Sequence, residues 1–126
     1  MSVLQAVAAR AAADSPLWAE ALLPGEAAEP RFAGSCPERH LLGVEMIYEG
    51  YLLHYGRSRL FSQADPDLAL LTGDYLYAAG LREICATGDL EAVGALAALI
   101  SACARNQGDG GGNDDALWEE TVAALR

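Results

Sequence analysis

The sequence predicts an all-α protein, an antiparallel helical bundle, from three observations. Alanine dominates the composition, followed by leucine and glycine, and alanine is the strongest helix former. Valine, isoleucine, threonine and phenylalanine are scarce, so little of the chain favours strands. Helix-start and helix-stop signals recur along its length. The 126 residues suit one small domain, and 52% hydrophobic residues are too many for a disordered chain.

Residues 2–13 are alanine-rich and read as the first helix. Ser15-Pro16 starts a short second one, with serine as N-cap and proline in the first turn. It runs to about Leu23, where Pro24-Gly25 ends it. Residues 26–35 hold Pro30, Gly34 and three charges, and read as a loop. Ser35-Cys36-Pro37-Glu38 has the form of a capping box and opens a helix to about Tyr55. Leu41, Val44, Tyr48, Tyr51 and Tyr55 recur there at helical spacing, and Leu42, Met46, Ile47, Leu52 and Leu53 widen the face. So broad an apolar face predicts burial on more than one side.

Residues 56–64 are polar and break that helix. Asp65-Pro66-Asp67 starts the next, which runs to about Thr87 with Gly88 just past its end. Asp89 caps a helix over 90–105, so Gly88-Asp89 is a tight turn between antiparallel helices. Residues 106–115 contain four glycines and no apolar side chain, the composition of a flexible linker. Residues 116–126 form a last amphipathic helix with Leu117, Trp118, Val122 and Leu125. The expected organisation is a helical bundle over 1–105, the linker over 106–115 and the C-terminal helix over 116–126.

Eighteen acidic against eight basic residues give a net charge of −10, and every basic residue is arginine. That charge repels phosphate backbones and anionic lipid, so neither nucleic acid nor a membrane surface is an expected partner. The apolar stretch 90–104 carries Glu91 and is too short to span a bilayer. No basic segment followed by a long apolar run opens the chain, and the expected location is cytoplasmic. Cys36, Cys85 and Cys103 include no CxxC pair. On neighbouring helices Cys85 and Cys103 would sit about 16 Å apart along the axis, so free, partly buried thiols are expected.

Glu45 and Glu49 stand one helical turn apart. Such pairs can hold metal in a bundle, but only with a Glu-x-x-His pair on a facing helix, which this sequence lacks; His40 and His54 share one helix. The pair therefore reads as a solvated face. No serine has a nucleophile-elbow context, and no glycine-rich phosphate loop follows a strand. Gly73-Asp74 is unusual in mid-helix, because glycine costs about 1 kcal/mol there relative to alanine. Gly73 is read as a close-packing site. Asp74 is either partly buried beside Arg57, Arg59 or Arg82, or an exposed aspartate next to a tolerated glycine.

Two stretches together resemble the trans-isoprenyl diphosphate synthase, or polyprenyl synthetase, family. Residues 45–54 read EMIYEGYLLH and residues 70–78 read LLTGDYLYA. Glu45, Ile47, Leu52, Leu53 and His54 fall in the family's places, as do Gly73, Asp74, Tyr75 and Leu76. The resemblance implies part of the isoprenoid synthase fold, with Glu45, His54, Gly73, Asp74 and Tyr75 as structural or interface residues. It covers about half of this chain. Tyr55, Gly56 and Arg59 stand where the family's metal-binding aspartates would be, and these residues cannot hold magnesium. The second aspartate-rich motif and the Arg-Arg-Gly segment are absent from the sequence. The resemblance therefore implies no catalytic, metal-binding or cofactor-binding residues. It implies a non-catalytic subunit like the small components of two-part prenyl diphosphate synthases, which pair with a catalytic synthase and shape product chain length. A homo-oligomer or a longer prenyl synthase homologue is the expected partner, since helices this apolar want more cover than a short chain supplies. A self-associating binding or scaffold protein unrelated to isoprenoids is the second reading. A small enzyme built on Glu45, Glu49, His54 and Asp74 ranks last, because no ligand set closes.

Overall fold

The computed structural model describes residues 1–25 and 28–125. The loop expected over 26–35 and the last helix expected to Arg126 each reach residues outside that set. Six helices follow in order among the described residues: α1 Val3–Asp14, α2 Pro16–Ala21, α3 Glu38–Tyr55, α4 Pro66–Cys85, α5 Leu90–Gly108 and α6 Asp115–Ala123. The protein is all-α; the described residues contain one isolated antiparallel bridge, between Leu22 and Phe61, and no strand. Among them no helix is long and apolar enough to cross a membrane.

Local chemistry sets most of the helix starts. Ser2 and Gln5 form a capping box at α1, and Ser15 caps α2 ahead of Pro16. The Asp65 carboxylate accepts from the backbone N–H of Asp67 and Leu68 at α4. Asp89 accepts from Ala92 at α5. Gly88 adopts φ 85°, the left-handed turn that reverses the chain between α4 and α5. The capping box expected at Ser35 and Glu38 does not form. Pro37 occupies the N-cap of α3 without a side-chain cap, and Ser35 Oγ instead donates to the Phe32 carbonyl in the preceding turn. Serine sits two residues too early to reach the first free N–H groups. α5 continues three residues past its expected end at Arg105, to Gly108, which takes Asn106, Gln107 and Gly108 out of the expected linker.

α3 runs through the centre. Val44 and Ile47 join a cluster with Phe32, Leu96, Leu99, Trp118 and Val122. Met46 and Leu53 join another with Leu4, Val7, Trp18, Phe61 and Leu76. Much of the broad apolar face of α3 is thus covered within this chain, although Tyr55 at its end stays 40% exposed. The C-terminal helix belongs to the same core through Trp118 and Val122.

α3 and α4 are antiparallel and pack backbone to backbone. A Cβ built on Gly50 would lie 2.8 Å from the Gly73 carbonyl oxygen, and one on Gly80 would lie 2.8 Å from that of Gly43. The converse approaches are 3.1 Å from Gly73 to Gly50 and 3.0 Å from Gly43 to Gly80. Glycines at positions 43 and 50, and at 73 and 80, are two helical turns apart and fall on one face. Matching pairs on antiparallel helices let the axes close until the backbones touch. This seam fixes α4 against the α3 face that bears His54.

Candidate functional site

Glu45 and Glu49 do not form a solvated face: both side chains are fully buried. The loop after α3 folds back over them and inserts Arg59 between the two. Arg59 Nη1 lies 2.7 Å from Glu45 Oε1, and Arg59 Nε lies 2.8 Å from Glu49 Oε1. Glu45 Oε2 accepts the Phe32 N–H at 2.8 Å. Glu49 Oε2 accepts from the Ser58 hydroxyl, from the Arg59 N–H at 3.0 Å and from the Leu60 N–H at 3.1 Å. Every oxygen of both carboxylates is therefore engaged. One guanidinium serves two carboxylates, and backbone and hydroxyl donors supply the remaining stabilisation; without them the burial of charge would be prohibitive. Arg59 also lies over the Tyr48 ring, 5.1 Å from its centroid, and Arg31 lies 4.8 Å from the same centroid.

The cluster is a polar clamp holding the segments before and after α3 onto that helix. The backbone reinforces it: Leu23 N–H donates to Leu60, and Ser62 N–H to Ala21. The sequence signal was present but incomplete. Two acids on an apolar helix demand a cation, yet spacing alone does not say that the following loop turns Arg59 inward.

His54 and Asp74 form a separate pair, on the face of α3 that meets α4. His54 Nε2 lies 3.1 Å from Asp74 Oδ1 without the alignment of a hydrogen bond, so this buried nitrogen has no hydrogen-bond partner, and Asp74 is 68% exposed. The imidazole stacks on Tyr77 with centroids 5.2 Å apart and planes 3° from parallel. The side chain nearest Asp74 is this histidine rather than Arg57, Arg59 or Arg82. Gly73 makes room for it: a Cβ at Gly73 would lie 2.5 Å from His54 Cδ2. Tyr75 points to the other side of α4, stacks on Trp18 and donates to Asp14 at 2.6 Å. The structure thus joins His54, Gly73 and Asp74, and separates them from Tyr75 and from the cluster of Glu45 and Glu49. His40, also buried, reaches from the start of α3 to Asp89 at the start of α5, with 3.0 Å between Nε2 and Oδ2.

Asp114 carries a contact set that composition alone did not reveal. It lies in the segment expected to be a linker, yet it is 1% exposed. It accepts from Tyr51 at 2.7 Å, Asn106 at 2.6 Å and Gln107 at 2.8 Å, and it stands at the N-terminus of α6, where a negative charge is favoured. Burial works to raise its pKa, but the three hydrogen bonds outweigh burial and hold the carboxyl below its ordinary value. Asp114→Ala is expected to cost about 1–3 kcal/mol, since three donors lose a charged acceptor. The folded protein binds this proton less readily than the unfolded chain, so the contribution is full above the unfolded carboxyl pKa, about 4. It fades as pH falls through the lower folded value. Urea midpoints of the two proteins should therefore differ by a constant amount near neutrality and converge in acid.

Burial pushes the Cys36 and Cys103 thiols up to about 11, so both stay protonated and unreactive at neutral pH. Cys85 is exposed. Among the described residues, no group of three or more histidine, cysteine, aspartate or glutamate side chains is placed to hold a metal ion. A cleft of about 340 Å³ beside Arg59 is lined by Gln5, Leu22, Leu23 and Leu60. The Arg59 guanidinium is already committed to the two glutamates and is not free for a ligand in that cleft. Comparison with protein-family models, with curated proteins and with solved structures finds no match to this chain.

Proposed function

We propose that the chain is a non-catalytic helical subunit that associates with a larger prenyl diphosphate synthase and modulates the length of its product. The observation that carries this reading is the fate of Arg59. In the enzymes the sequence resembles, the end of the helix corresponding to α3 presents aspartates for magnesium. Here Tyr55 and Gly56 offer no carboxylate, and Arg59 turns inward to Glu45 and Glu49. The one acidic pair on α3 is spent on structure. The packing of residues 45–54 against residues 70–78, through Gly50, His54 and Gly73, also supports the resemblance, because the two stretches that carry it meet.

The chain alone, incubated with an allylic diphosphate, a homoallylic diphosphate and magnesium, is expected to yield no elongated product. Metal-dependent elongation would overturn the non-catalytic assignment. Mixed with the full-length prenyl synthase of its own cell, it is expected to co-elute with that enzyme and shift its product distribution. If it neither co-elutes nor shifts the products, the association is refuted.

The second reading, a self-associating helical binding or scaffold protein, draws on the exposed leucines 17, 23 and 90, which lie outside α4. It requires light scattering of the pure chain to give at least twice 13.2 kDa.

A further inference from the structure

We infer that the outward face of α4 docks a cationic amphipathic helix of another protein. Asp67, Leu70, Leu71, Asp74 and Ala78 are all exposed, and at 3.6 residues per turn they form one continuous stripe. Leu70 is 48% and Leu71 is 51% exposed, whereas Thr72, Gly73, Leu76, Ala79 and Gly80 on the other faces are buried. Tyr55 at the end of α3, 40% exposed, adds further apolar surface.

The charges around the leucines identify the occupant. Asp67 and Asp74 stand one turn to either side, Asp74 largely exposed although His54 approaches one of its oxygens, and the next arginine along the stripe is Arg82, two turns beyond Asp74. A second copy of this chain would press two aspartate-rimmed stripes together and bring net charges of −10 into contact. Phosphate-bearing surfaces are repelled for the same reason. A helix with apolar side chains at i, i+3 and i+4, flanked by lysine or arginine, satisfies both the leucines and the aspartates. The inference rests on this face alone and holds whatever activity the partner carries.

The test is a titration of the isotope-labelled full chain, followed by amide chemical shifts. The probe is a synthetic leucine–lysine amphipathic helix of about five turns, and the control has glutamate in place of every lysine. The lysine peptide is expected to move the amides of residues 67–78 saturably, with affinity falling as salt rises from about 0.05 to about 0.3 M. The glutamate peptide is expected to move nothing. Changing Leu70→Ser together with Leu71→Ser is expected to weaken binding about tenfold, and Asp67→Asn with Asp74→Asn to weaken it comparably; all four positions are exposed. Shifts spread over every acidic surface, with the double-serine variant binding as well as the parent, would overturn the proposal in favour of unspecific charge attraction. A dimer of the pure chain that the double-serine variant dissolves would overturn it in favour of a second copy. A prenyl synthase that co-elutes equally well with the double-serine variant would leave the proposed association standing and remove α4 as its surface.

Discussion

Arg59→Ala is expected to destabilise the protein by about 3–5 kcal/mol, because it strands two buried carboxylates without a cation. Small domains carry about 5–15 kcal/mol in total, so the variant should be marginal or unfolded at ambient temperature. The estimate follows from burial: the Glu45 and Glu49 side chains are 0% exposed and that of Arg59 is 14% exposed. An exposed pair would be worth less than about 1 kcal/mol. Adding Glu45→Gln and Glu49→Gln to Arg59→Ala should recover a large part of the loss. Each glutamine keeps a carbonyl oxygen for the donors now held by Oε2, namely Phe32 N–H at position 45, and the Ser58 hydroxyl and the N–H groups of residues 59 and 60 at position 49, and brings no charge that needs a partner. Urea midpoints at constant slope measure both effects. A loss below about 1 kcal/mol in the single variant would mean that water reaches the cluster and that the clamp is no more than a surface ion pair.

The clamp also shows where sequence reasoning stops. Helix α1 was legible from its alanine content, and α2, α4 and α5 because Ser15, Asp65 and Asp89 sit where free N–H groups need acceptors and Gly88 permits the left-handed turn. Those are local facts, carried by neighbours in the chain. The Ser35 capping box failed because a local pattern met a stronger local constraint, Pro37 at the N-cap. The roles of Glu45, Glu49, Arg59 and Asp114 were not local. Helical spacing says that two glutamates share a face, but not whether a loop folds over that face. Likewise a run of glycine and aspartate looks like a free linker until Tyr51, some sixty residues earlier in the chain, supplies its hydroxyl to Asp114. Polar residues in loops can turn inward when a buried partner awaits them, and no period in the sequence encodes that choice.

The glycine seam leaves a trace in the sequence, since two turns separate the glycines within each helix, and it supports the sharpest comparison between sites. Gly73 alone stood out, by its place in mid-helix; the pairing with Gly50, and of Gly80 with Gly43, appears only when α3 and α4 are set antiparallel. Alanine at an unconstrained helical position should gain up to about 1 kcal/mol over glycine. Gly94→Ala on α5 is expected to show that gain, because nothing lies within 4 Å of its Cβ position. Gly80→Ala should show the opposite sign. Its methyl group would sit 2.6 Å from Ile47 Cγ1 and 2.8 Å from the Gly43 carbonyl oxygen; Ile47 is β-branched and buried, and the carbonyl belongs to a helix backbone. Neither can move away cheaply, so the helices must part and the net loss is expected to be about 1–3 kcal/mol. Gly50→Ala meets the Gly73 carbonyl in the same way, and Gly73→Leu should exceed both, because it must also displace His54 from its stack on Tyr77. Thermal or urea unfolding of the parent, Gly94→Ala and Gly80→Ala proteins decides the matter by sign alone. Equal stabilisation by alanine at positions 80 and 94 would require α3 and α4 to sit further apart than backbone contact, and the meeting of the two motif-bearing stretches would lose its structural basis.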